Sequence, residues 1–157
     1  MSNFTINVNS VMKFMSLIDL MMVDWDPILP GESSDEGHII YNAEEAIKLL
    51  ELDCIQHPTH LWRVYKTSSG GVHAFLVSHK LSPTKTACNF SYSLKGDKRY
   101  IDCSWHHQVW NVRVSPKKGR INDFVAKYLC TIGTGEFLLD HRTTMIIHDT
   151  YLSKYNK

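Results

Sequence analysis

A chain of 157 residues, 43% of them hydrophobic, is the size of one domain and can bury roughly two-thirds of its unfolded surface. Lys and Arg number 17 against 16 Asp and Glu, which excludes a global basic field, so any grip on nucleic acid has to come from a local patch. No apolar run approaches the ~20 residues that span a bilayer. Residues 1–14 lack the basic, apolar and small-residue order of a signal peptide, so a cytoplasmic or nuclear protein with no membrane partner is expected. Cys54, Cys88, Cys103 and Cys130 are widely spaced without a C-x-x-C pair, and are read as buried thiols.

In chain order, residues 17–25 (LIDLMMVDW) form a nearly continuous apolar run ending in acids before Pro27, which predicts a buried strand opening into a loop, with a short buried helix as the competing reading. The polar stretch 30–37 reads as a surface loop, and nothing divides residues 1–157 into more than one domain. Asn42 can cap a helix from residue 43 to 52, with Glu45 at the capping-box position. Residues 61–66 and 72–79 flank the turn 67–71 and read as a hairpin. A second helix is expected over 83–93, followed by a turn at 95–97. Residues 99–103 and 109–115 alternate like strands, and 121–130 resembles a closing helix stopped near Gly133. The order predicts an α+β fold: an RRM-like or ferredoxin-like antiparallel sheet with packed helices.

Three motifs carry chemistry. Asp24 and Asp26 stand two apart, so on a strand both carboxylates project from one face. Such a pair is costly unless solvated, protonated or bridged by a hard cation; two solvated loop acids is the bland alternative. In Ser69-Gly70-Gly71-Val72-His73, two glycines let the backbone turn tightly, exposed amides in such a turn favour phosphate, and His73 can donate to a triphosphate oxygen. An ordinary hairpin histidine is the alternative. Asp102, set in a β-prone stretch, is either a third cation ligand or an edge-strand acid paired with Lys98 or Arg99.

Taken in this order, VDWDP, TSSGGVHAFLVS and RYIDCSW resemble the archaeo-eukaryotic primase superfamily, most closely its primase-polymerase branch. The resemblance covers roughly residues 17–117. It implies that Asp24, Asp26 and Asp102 bind two divalent ions, Mg²⁺ or Mn²⁺, and that Ser69, Gly70, Gly71 and His73 hold the phosphates of an incoming nucleoside triphosphate. Nucleotidyl transfer onto a primer then uses two metals roughly 3.5–4 Å apart, on a single-stranded DNA or RNA template. A basic residue near Arg113 or Lys117 contacts the triphosphate in the family, and Lys118 and Arg120 extend that local patch. Many members carry Ser where this chain has Gly71, and a separate helicase or priming subunit is implied for functions beyond the core.

Other constellations compete. Cys54-x-x-His57-x-x-His60 offers thiolate and imidazole ligands for zinc, though Pro58 interrupts it and the spacing is not a standard one. Tyr100, Trp105 and Trp110 could stack on bases but are more often core residues. Asp140 rivals Asp102 as the third acid. The alternative functions are a non-catalytic RRM-like nucleic-acid or nucleotide binder and a metal-dependent nuclease on the same sheet.

Overall fold

The computed structural model describes residues 4–8, 13–26, 43–67, 70–113 and 126–138. Along them run β1 (Phe4–Val8), β2 (Lys13–Leu17), β3 (Met22–Trp25), α1 (Ala43–Gln56), β4 (Leu61–Thr67), β5 (Val72–Leu76), α2 (Lys85–Ser93), α3 (Lys98–His107), β6 (Trp110–Arg113) and β7 (Ala126–Gly133). The described chain is α+β in a ferredoxin-like arrangement, with antiparallel sheets ordered β3-β5-β4-β7 and β1-β2-β6.

The expected hairpin is β4 and β5, paired from Trp62↔Leu76 to Lys66↔Val72. Helix α1 connects β3 to β4, and β5 lies between those two strands, which is the split βαβ unit. Pairing of β3 with β5 sets Asp24 directly opposite His73. One apolar cluster takes Leu17, Trp110 and Val112 from the smaller sheet together with Trp25, Trp62 and Phe75 from the larger, so both sheets share a core. Each buried indole N–H is satisfied: Trp25 donates to the Leu94 carbonyl at 2.8 Å, Trp110 to the Leu81 carbonyl at 2.9 Å, and Trp62 to Asp53 Oδ2 at 2.7 Å.

Three expectations are corrected. The run 17–25 is not one strand: β2 ends at Leu17 and β3 starts at Met22, with Ile18 half exposed between them. Residues 99–103 are helical, because Asp97 caps α3 by accepting from the Arg99 amide at 3.2 Å and Ile101 and Ser104 form its buried stripe. Residues 126–130 lie in β7, held by seven register pairs along β4, from Leu61↔Gly133 to Thr67↔Ala126. The N-terminal hairpin of β1 and β2 was not anticipated. The helices at 43–52 and 83–93 are present as α1 and α2, the second capped by Thr84 Oγ1 accepting from the Ala87 amide at 3.1 Å. Asn42, the loop 30–37, residues 121–125 and Asp140 lie outside the described residues. Among the described residues no helix is long and apolar enough to cross a membrane.

Candidate metal and nucleotide site

The end of β3 alternates as a strand must: Trp25 points into the core while Asp24 and Asp26 face the other way. They meet a third acid from a different element. The Asp97 amide donates to the Asp24 carbonyl at 2.7 Å, tying the start of α3 to the end of β3. One carboxylate oxygen from each of Asp24, Asp26 and Asp97 lies within 4.8 Å of the others. His73 Nε2 stands 3.1 Å from Asp24 Oδ1, so the first two sequence motifs meet at a single point.

Like charges this close resist ionising together. Burial, followed by the charges of Asp24 and Asp97, pushes the Asp26 carboxyl up to about 7, with His73 pulling weakly the other way. Burial and Asp24 likewise raise Asp97. Asp24 Oδ1 is buried without a hydrogen bond, with His73 Nε2 3.1 Å away as its ion-pair neighbour. Three hard oxygen donors that cannot all keep their charges, one with an unsatisfied lone pair, fit a divalent cation of the Mg²⁺ or Mn²⁺ type. Tyr100 forms part of the surroundings: burial and the Asp24 charge drive its phenol well above the ordinary value.

The glycine turn has a different task from the one its sequence suggests. The Gly70 amide donates to the Thr67 carbonyl at 3.0 Å and the Gly71 amide to Thr67 Oγ1 at 3.0 Å, so both are spent closing the turn and neither is free to cradle phosphate. Gly71 is needed for close approach instead. A Cβ there would stand 2.6 Å from the Trp25 carbonyl oxygen and 3.3 Å from Asp26 Oδ1. The turn therefore presses against the acidic strand end and brings His73 to it.

Asp102 is not part of this cluster. It lies on the exposed face of α3, not on an edge strand, accepting from the Tyr92 hydroxyl at 2.9 Å and pairing with Lys98 at 3.7 Å. Asp97 takes its place, and its signal in the sequence was that of a helix cap: an Asp after a Lys-Gly turn, immediately before the α3 residues. Ser69 and Lys117 lie outside the described residues, as do Lys118 and Arg120. Arg113 is opposite Phe14 in the smaller sheet, β1-β2-β6. Trp110 is fully buried and stacked on Tyr100, whereas Trp105 is half exposed. Cys54 faces backbone, with its sulfur 3.7 Å from the His60 carbonyl oxygen and 3.8 Å from that of Ile132. Burial and Asp53 push this thiol up to about 11, so it stays protonated.

No family model, curated protein or solved structure matches this chain.

Proposed function

We propose that the protein is a metal-dependent nucleotidyltransferase of the DNA primase-polymerase type, acting in the cytoplasm or nucleus. It would use nucleoside triphosphates to extend a primer on a single-stranded DNA or RNA template, with a separate helicase or priming subunit as partner. The observation that carries the reading is the convergence of Asp24, Asp26 and Asp97 beside His73 on the paired ends of β3 and β5. These three carboxylates would hold one or two Mg²⁺ or Mn²⁺ ions, which when bound supply charge neutralisation at the phosphates and acidify an attacking hydroxyl. The chain's own groups do the positioning. His73 would donate to a phosphate oxygen once its neighbour Asp24 engages a cation; what supports this is its position 3.1 Å from Asp24, kept by the close approach at Gly71.

Against the rival reading of a non-catalytic RRM-like binder, Trp110 is consumed by the core, and Trp105, though half exposed, lies on α3 rather than on a sheet face. Calorimetric titration of a nucleoside triphosphate into the protein tests the proposal. Binding that requires Mn²⁺ or Mg²⁺ and is lost in the Asp24→Asn/Asp26→Asn variant supports it. Binding that ignores both the cation and the substitutions refutes it.

A further inference from the structure

The last turn of α1 carries a second cluster that the carboxylate site does not use. Ala46, Leu50 and Asp53 form the buried stripe of α1, so the helix delivers a carboxylate where its periodicity calls for an apolar side chain. Asp53 is 2% exposed. Its oxygens meet His57 Nδ1 at 3.1 Å, His60 Nδ1 at 2.8 Å and Trp62 Nε1 at 2.7 Å. The two imidazole rings stack with centroids 4.6 Å apart and planes 11° apart.

We propose that Asp53, His57 and His60 form a transition-metal site of the zinc class, distinct from the Asp24 site. In a tetrahedral zinc site with ligand bonds of ~2.0–2.1 Å, neighbouring donor atoms are ~3.3 Å apart. His57 Nδ1 stands 3.1 Å from Asp53 Oδ1 and His60 Nδ1 2.8 Å from Oδ2, and one donor atom from each of the three residues lies within 4.8 Å of the others, so small side-chain rotations bring three donors to that spacing. A dication bound at Nδ1 of both rings, each neutral ring carrying its proton on Nε2, would have two imidazoles and one carboxylate as ligands and a fourth position for water.

The surroundings hold the ligands in place. Trp62 donates to the same Asp53 oxygen that meets His60, the kind of outer hydrogen bond that orients a ligating carboxylate. The His60 amide donates to the His57 carbonyl at 3.0 Å, closing the short loop through Pro58 that turns His60 back onto the helix end. Gly133, at φ +108°, lets β7 press on that loop, since a Cβ there would collide with the His60 carbonyl oxygen. The His57 side chain is 48% exposed and gives access from solvent, whereas that of His60 is 12% exposed. Nitrogen-rich donors favour Zn²⁺ over the hard cations suited to Asp24, Asp26 and Asp97.

The test is Zn²⁺ titration of the metal-stripped full chain by calorimetry, with Co²⁺ absorption as a report of geometry. The expected result is one Zn²⁺ per chain and tetrahedral Co²⁺ bands. Both persist in Asp24→Asn/Asp26→Asn, and affinity falls by at least about tenfold in His57→Ala. His57 is half exposed, so that variant should fold, and an unchanged melting temperature in metal-free buffer checks it; His60→Ala serves as the second variant. Absence of Zn²⁺ uptake by the wild type, or uptake that is unchanged in a folded His57→Ala and abolished by Asp24→Asn/Asp26→Asn, would overturn the proposal.

Discussion

The Asp26 carboxyl gives the carboxylate site a pH signature that can be worked out in advance. Burial and the neighbouring Asp24 and Asp97 charges hold it up to about 7, so a cation must displace a proton to use it. For one such group, affinity changes by the fraction of protein already deprotonated. That is a fall of about tenfold from pH 8 to pH 6, with release of roughly half a proton per cation at pH 7. Asp97, raised for related reasons, steepens the dependence. The assay is Mn²⁺ titration by calorimetry at several pH values, in two buffers of different ionisation enthalpy to count protons. In Asp26→Asn the neutral amide removes the titrating group, so overall affinity should drop and its pH dependence should become shallower, with only the Asp97 contribution left. Wild-type affinity that is level from pH 6 to 8, or a slope unchanged in Asp26→Asn, would refute the reasoning.

Other outcomes follow from the same geometry. In metal-free buffer Asp26 binds its proton more tightly folded than unfolded, so its stabilising contribution is complete below 3.8 and lost as pH rises through about 7. The melting temperature of Asp26→Asn should therefore gain on the wild type between pH 4 and pH 8. Gly71→Ala places a Cβ 2.6 Å from the Trp25 carbonyl oxygen and should cost about 1–3 kcal/mol in urea unfolding. Asp97→Asn keeps an oxygen to cap α3 yet removes the charge, so it should weaken Mn²⁺ binding while leaving stability near the wild type. Trp62→Phe strips a donor from buried Asp53 and should destabilise by about 1–3 kcal/mol.

What could be read from the sequence was what local chemistry determines. The β4–β5 hairpin, α1 and α2 announce themselves through turns, caps and periodicity, and the same-face placement of Asp24 and Asp26 follows from strand alternation. The misses come from long-range terms. Residues 126–133 become a strand because the edge of β4 accepts them, and nothing within that segment states this. Residues 98–107 alternate weakly enough to suit a strand, until the Asp97 cap and the buried Ile101 and Ser104 select a helix. That switch turns Asp102 outward and leaves Asp97 at the site. The family resemblance set Asp24 and His73 at one site, and β3 and β5 bring them opposite each other, but it could not show that the Gly70 and Gly71 amides are used internally. Likewise, Cys54, His57 and His60 suggested zinc by their ligand types, and only the helix face reveals that Asp53, not Cys54, meets the two imidazoles.

The most direct test of the central claim is extension of a labelled primer on a single-stranded template with Mn²⁺ or Mg²⁺, comparing the wild type, Asp24→Asn/Asp26→Asn, Asp97→Asn and Asp102→Asn. The account predicts cation-dependent extension that is abolished in the double variant, severely reduced in Asp97→Asn and retained in Asp102→Asn. Extension that survives loss of Asp24 and Asp26, or that fails with Asp102→Asn while tolerating Asp97→Asn, would contradict it, as would no extension by the wild type with either ion.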